Sequence, residues 1–231
     1  MKKNVYKIRL IIAGTIFLIS ILAILGIFYP IRIFDVNFTP LFETNLFNLS
    51  VLSLCLLIGF ILLTALFGRF YCSLICPLGI AQELFCLITK RKNNAPRVNS
   101  GFKYLIMALC FGVLLTGSAI IIRYIDPYTI FCRAMSLKTA GVVSVILIFI
   151  LAFFKNRFFC SNICPVGAII GLISKMSLYK IQMNENCVSC GHCARNCHVG
   201  AINEKEKTVK NETCLKCLKC VSICPKGAMN Y

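Results

Sequence analysis

Four uncharged, apolar runs occupy the first two thirds of the chain: Leu10 to Tyr29, Phe47 to Phe67, Tyr104 to Ile122 and Thr139 to Phe154. Each approaches the roughly 20 residues that a helix needs to cross hydrocarbon. The pattern predicts four transmembrane helices. The fourth run is the shortest, and Lys155 and Arg157 beyond it can extend the span by reaching back to the headgroups. The first run ends at Phe28-Tyr29-Pro30 without a small-residue cleavage site, which argues for a retained span rather than a signal peptide.

Composition changes this picture little. Of 231 residues, 58% are hydrophobic and 14% charged, so a soluble fold of this size is disfavoured. The net charge of +17 does not imply nucleic acid, because the basic residues flank the apolar runs instead of forming one stripe interleaved with aromatics. They are read as topology signals and as a surface for anionic membrane lipid or an acidic partner. Lys2, Lys3, Lys7 and Arg9 precede the first span. Arg69, Lys90, Arg91, Lys92, Arg97 and Lys103 lie between the second and third, and the chain after the fourth is again basic. The other connections hold only Arg32 in one and Arg123, Arg133 and Lys138 in the other. The bias predicts a multi-pass protein of the cell membrane, N-in and C-in, with its clustered cysteines on the reducing cytoplasmic side.

Twelve of the sixteen cysteines stand at metal-ligand spacings. Cys187-x2-Cys190-x2-Cys193-x3-Cys197 recurs 27 residues on as Cys214-x2-Cys217-x2-Cys220-x3-Cys224-Pro225. Each C-x2-C-x2-C turn supplies three thiolates to one [4Fe-4S] cluster, and the fourth comes from the other motif. Cluster one is expected on Cys187, Cys190, Cys193 and Cys224, and cluster two on Cys214, Cys217, Cys220 and Cys197. Zinc also takes four thiolates, but its sites use paired C-x2-C units and gain nothing from a third Cys three residues on. Short strands are expected at Tyr179 to Met183, Ala201 to Asn203 and Thr208 to Lys210, with a turn near Lys205-Glu206-Lys207. So small a domain depends on its clusters to stay folded. His198 stands where the first motif would carry Pro. It reads as a loop substitution or as a hydrogen-bond donor or charge beside cluster two. His192 reads as an exposed loop residue.

A second constellation is an internal repeat. Gly68-Arg69-Phe70-Tyr71-Cys72-Ser73-Leu74-Ile75-Cys76-Pro77-Leu78-Gly79 returns 88 residues later as Asn156-Arg157-Phe158-Phe159-Cys160-Ser161-Asn162-Ile163-Cys164-Pro165-Val166-Gly167. Two helical hairpins in the same direction should be related by a pseudo-two-fold axis along the membrane normal, which brings both C-x3-C-P loops together. The same turn echoes in Cys220 to Ala228. Each Pro should end one helix and begin another, at Leu78 to Thr89 and Val166 to Leu178, lying at the interface with Glu83, Gln82 or Lys175 toward water. Metal ligation by Cys72, Cys76, Cys160 and Cys164, by an Fe-S cluster or another soft metal, is the favoured reading. Simple packing and a dithiol or disulfide are the alternatives. Cys55, Cys86, Cys110 and Cys132 form no motif and read as small apolar packers.

The expected architecture is an all-α four-helix transmembrane domain over residues 1–178, built from two parallel-repeat hairpins. An α+β ferredoxin-like domain with two [4Fe-4S] clusters follows over residues 179–231. This arrangement, with its two C-x3-C-P loops and C-terminal cysteine pair, resembles the NapH-type membrane ferredoxins. It is also similar to the membrane cores of the nitrous-oxide reductase regulator and the copper-oxidase assembly ferredoxins. The resemblance implies electron exchange between quinol, or a membrane redox partner, and soluble or periplasmic carriers such as a flavoprotein or ferredoxin, with a quinol dehydrogenase subunit as the enzymatic role to test. With only His192 and His198 in the chain, a bis-histidine haem is excluded, and no G-x-G-x-x-G loop marks a dinucleotide domain. Copper handling and redox sensing are the competing functions. The segments Asp35 to Pro40 and Asp126 to Tyr128 are candidate outward docking or quinone-edge loops.

Overall fold

A computed structural model describes residues 4–24, 51–89, 95–96, 98–115, 125–204 and 206–230. The apolar runs form helices α1 (Val5–Ile24), α2 (Val51–Phe67), α5 (Ser100–Leu115) and α7 (Thr139–Phe154), of 20, 17, 16 and 16 residues. The last matches its expected bounds. The ends of the first and third runs, and the start of the second, fall outside the described residues. Among the described residues, α1 alone is long and apolar enough to cross a membrane as a single straight helix. The helices turn large apolar side chains outward: Ile11 is 66% exposed, Leu109 62% and Val143 64%.

Between the long helices lie short ones that position the cysteines. These are α3 (Tyr71–Leu74) and α4 (Pro77–Ile88) after α2, α6 (Pro127–Met135) before α7, and a π-turn (Phe159–Ile163) with α8 (Pro165–Ser174) after it. Helix α4 packs on α1 and α7, and α8 packs on α5 and α2. Each helix after a Cys-Pro pair thus touches the first long helix of its own hairpin and the second of the other. That is the contact pattern a two-fold relation between the repeats requires.

Two expectations are corrected. Gln82 and Glu83 do not face water: they are 0% and 1% exposed, against the core, and only Lys175 is exposed. The segment at Asp126 is not an exposed loop. Asp126 is fully buried and caps α6, accepting from the Thr129 amide at 2.8 Å and hydroxyl at 2.9 Å. Helix α6 folds back on α7 at 119° and packs on α4, so Asp126 returns toward the cysteine loops. The Asp35 to Pro40 segment lies outside the described residues.

The C-terminal part holds two ribbons, β1 (Gln182–Met183) with β4 (Met229–Asn230) and β2 (Ile202–Asn203) with β3 (Thr208–Val209), both antiparallel. Helices α9 (His192–Arg195) and α10 (Lys219–Ile223) lie between them in sequence. The three expected strands appear in shortened form; β4 was not anticipated. The chain enters this part along α2, where the amides of Leu178 and Tyr179 bond to the carbonyls of Ala65 and Leu66. The Tyr179 ring stacks on Phe67 at 5.3 Å.

Candidate iron-sulfur sites

The two C-x3-C-P loops have the same local construction. The amide of Cys76 bonds to the carbonyl of Tyr71 at 2.9 Å, and that of Cys164 to Phe159 at 3.0 Å, the same reach in both. A residue before Pro avoids the helical region, so Cys76 (φ −64°, ψ 113°) and Cys164 (φ −64°, ψ 117°) turn extended. Each proline then opens a helix where its missing amide costs nothing. Glycine completes the turn. A Cβ at Gly79 would stand 2.5 Å from the Cys72 carbonyl oxygen, and one at Gly167 2.9 Å from that of Cys160.

The loops are braced across the axis. Arg69 of the first donates to the carbonyl of Cys160 at 3.2 Å, and Arg157 of the second donates to the carbonyl of Cys72 at 3.3 Å. Both guanidiniums are buried. Their remaining bonds differ. Arg69 reaches the carbonyls of Glu212 and Thr213 at 3.2 and 3.4 Å, which fastens the C-terminal part to the loops. Arg157 pairs with Glu83 at 2.6 Å, and the other Glu83 oxygen meets Arg9 and, at 3.2 Å, the Tyr6 hydroxyl. Burial alone would raise the Glu83 pKa, but Arg157 and Arg9 together hold it at about 2.

Cys72, Cys76, Cys160 and Cys164 are all buried within one cluster. Burial pushes the Cys76 and Cys164 thiols well above their ordinary range, and the charge of neighbouring thiols from the opposite loop pushes the same way. Cys160 rises to about 11 through burial, although Arg157 opposes it. Four such thiols become thiolates together only around added positive charge, which a bound metal would supply. The surroundings suit an anionic centre. Of the eight side-chain atoms buried without a hydrogen-bond partner among the described residues, five, Arg69 Nε, Arg157 Nε, Gln82 Nε2, Asn162 Nδ2 and Ser161 Oγ, lie on the two loops or on α4. No three His, Cys, Asp or Glu side chains among the described residues are grouped as a single metal ion would need. A four-iron cluster takes its thiolates around a larger body.

The structure brings cysteines of the two C-terminal motifs together. A cavity is lined by Cys187, Cys190, Cys193 and Cys224, with Met183 and Met229 against them. The second set is Cys214, Cys217, Cys220 and Cys197. Burial lifts Cys214 to about 12, with Cys217 and Cys197 adding to it, and Cys220 rises through burial and the charges of Cys217, Cys214, Cys197 and, from the other motif, Cys193. The motifs repeat their backbone as well. Ser189 (φ 52°) and Gly191 (φ 70°) in the first correspond to Lys216 (φ 52°) and Leu218 (φ 60°) in the second. The amides of Ala201 and Ala228 donate to the sulfurs of Cys197 and Cys224 at 3.4 and 3.3 Å. Cys224 (φ −66°, ψ 115°) turns as Cys76 and Cys164 do. The extended Cys before Pro is common to all three places, but the chain beyond it is helical at Gly79 and Gly167 and left-handed at Gly227 (φ 62°).

His198 is buried, with Nε2 3.2 Å from Lys219 Nζ. Burial, and then the charges of Lys219 and Arg157, hold its pKa at about 3. The ring is neutral, so the positive charge considered from sequence does not arise. His192 is exposed as expected. Of the cysteines outside motifs, Cys110 is buried, Cys86 and Cys132 are partly buried and Cys55 is exposed. Sequence reasoning missed Tyr6, Arg9, Gln82 and Glu83 as members of the site. The available signal was a lone carboxylate and amide, adjacent on an apolar helix.

Comparison with known proteins places this chemistry in a class. A family described as "4Fe-4S binding domain" matches twice, over residues 49–96 and 137–184. Those stretches are the two repeats and contain the C-x3-C-P loops; neither reaches the motif that begins at Cys187. YccM of Escherichia coli K12, named as an electron transport protein, is 31% identical over 63% of this chain and 45% of its own length. The methylamine utilization ferredoxin-type protein MauN of Paracoccus denitrificans is 30% identical over 56% of this chain and 48% of its own. The ferredoxin-type protein NapH of Escherichia coli K12 is 25% identical over 62% and 54%. The chain thus carries a 4Fe-4S binding domain twice and is similar to ferredoxin-type and electron-transport proteins. Its cysteine loops resemble those of the NapH-type ferredoxin proteins. It spans about half the length of these relatives. No solved structure matches it.

Proposed function

We propose that the chain is a multi-pass membrane electron carrier with three [4Fe-4S] clusters, which passes electrons between quinol, or a membrane redox partner, and a soluble ferredoxin or flavoprotein. Cys72, Cys76, Cys160 and Cys164 hold the inner cluster. Cys214, Cys217, Cys220 and Cys197 hold the middle one, and Cys187, Cys190, Cys193 and Cys224 the outer. The observation that carries this reading is a gradient of exposure. The loop cysteines are 4% to 6% exposed, Cys214 is buried at 8% and its set-mates partly so, and Cys190 is exposed. Arg157 lies between the first two sets, since its charge is felt by Cys160, Cys217 and Cys72. The outward apolar side chains of α1, α5 and α7 favour lipid around the long helices. The Lys and Arg bias favours N-in and C-in. When bound, the clusters supply one-electron redox steps; the chain supplies thiolates, fixed amide and guanidinium donors and a water-poor interior.

Proteoliposomes reduced with a quinol test this. The wild-type chain should reduce an added soluble ferredoxin. Cys190→Ser should abolish that transfer while the other two centres still become reduced. Undiminished transfer in Cys190→Ser would overturn the order of centres.

A further inference from the structure

The repeat that builds the loop site is not symmetric in its chemistry. Adding 88 to Gln82 gives Ile170, and both are 0% exposed on the helix that follows their Cys-Pro pair. One half therefore brings a side-chain amide to the site and the other a hydrocarbon. A buried amide is retained only where its polar atoms find partners, yet Gln82 is half satisfied. The Cys160 thiol donates to Oε1 at 3.3 Å, and Nε2, wholly buried, has no partner among the described residues.

That arrangement belongs to the protonated thiol. A sulfur bound to iron is a thiolate with no proton to give, so the carbonyl end of the amide would face a negative sulfur. Rotation about the last side-chain bond exchanges Oε1 for Nε2 at almost no steric cost. The idle N–H then points at Cys160 Sγ, and one turn satisfies both the donor and the thiolate. Hydrogen bonds to cluster sulfurs are among the levers that set a cluster's potential. A donor stabilises the more negative, reduced cluster most, so it raises the midpoint. The terminal nitrogens of the nearby guanidiniums hold the carbonyls of Cys160 and Cys72 and the Glu83 carboxylate, which leaves only their Nε groups unpartnered. Among the unpartnered neutral donors here, which include Ser161 Oγ and Asn162 Nδ2, Gln82 is the one whose side chain already contacts a loop sulfur.

We propose that Gln82 tunes the inner cluster, donating from its side-chain amide to the Cys160 sulfur and setting that cluster's potential apart from the other two; this rests on the three-cluster reading above. The test is a redox titration of the full-length, iron-loaded protein, followed by electron paramagnetic resonance, with iron counted in the same samples. Gln82→Ile should move one midpoint to more negative potential and leave the other two in place. Ile170→Gln, which gives the opposite loop its own amide, should move the same midpoint to more positive potential. Gln82→Met keeps the length of the side chain without the donor and should repeat the negative shift if isoleucine disturbs folding. An unmoved midpoint in Gln82→Met at wild-type iron content would overturn the proposal. About eight iron per chain in the wild type, four for each of only two clusters, would instead overturn the three-cluster reading beneath it.

Discussion

The outer cysteine set and the loop tetrad share one Cys-Pro geometry in two environments. At Cys224 and at Cys164 the backbone angles agree within 2°, with ψ 115° and 117°, and a backbone amide donates to each sulfur at 3.3 Å. Around Cys224 the chain is open: Pro225, Lys226 and Gly227 are exposed, and water shares in solvating thiolate charge. Around Cys164 there is no such access, and buried side chains take over, with Arg69 and Arg157 crossing the axis and Glu83 anchoring one of them. The difference teaches where fixed charge is needed. An exposed cluster loop can rely on backbone and solvent, while a buried one requires counter-charges held in place before the metal arrives.

If that contrast is right, the buried side should break first and hardest. Arg157→Ala leaves Glu83 with one guanidinium where it had two, and removing one member of a buried ion pair costs about 3–5 kcal/mol. Helical circular dichroism during chemical unfolding should show a loss of that size. Lys226→Ala on the open side should change stability by no more than about 0.5 kcal/mol. Equal effects would erase the distinction.

Acid should then separate the two regions. Glu83 titrates at about 2 in the folded protein, below an ordinary carboxyl at about 4.3. A depressed folded-state value stabilises above the unfolded pKa, and the gain is lost as pH falls from about 4.3 through about 2. At about 1.4 kcal/mol per pKa unit this is about 3 kcal/mol. The stability difference between the parent and Glu83→Gln should therefore be largest near neutrality and shrink below about pH 4. A difference independent of pH would show that Glu83 is not held charged by its arginines.

Much of this site was legible beforehand because its signals are local. Ligand spacing, the Cys-Pro pairs and the 88-residue repeat are carried by neighbouring residues, and the structure places each where the backbone rules for Pro and Gly require. The four apolar helices were legible for the same reason. What was not legible depends on which faces meet. Arg9 counted as one more basic residue at a membrane edge, yet it is buried against Glu83 and donates to the Ser73 carbonyl at 2.8 Å. Gln82 and Glu83 read as the polar side of an interfacial helix because nothing in α4 reveals that α1, α6 and α7 cover it. The Asp126 cap was hidden likewise, since only the fold-back of α6 removes it from solvent.

The glycines give a smaller and more local comparison. Gly79→Ala places a methyl 2.5 Å from the Cys72 carbonyl oxygen, a backbone atom that cannot swing away, and overpacking of this kind costs about 1–3 kcal/mol. Gly227→Ala meets nothing within 4 Å, but its φ of +62° charges any other residue about 1–2 kcal/mol. Thermal melts should show both losses, and only Gly79→Ala should also alter the spectrum of the inner centre. A spectral change from Gly227→Ala alone would reverse the expected assignment of the two turns.

The most direct test of the account is the iron and acid-labile sulfide content of the purified, anaerobically loaded full-length chain, beside Cys160→Ser. Three clusters predict about twelve of each per chain, falling to about eight when the loop cysteine is lost. About eight in both proteins would leave Cys72, Cys76, Cys160 and Cys164 as buried thiols and contradict the inner cluster.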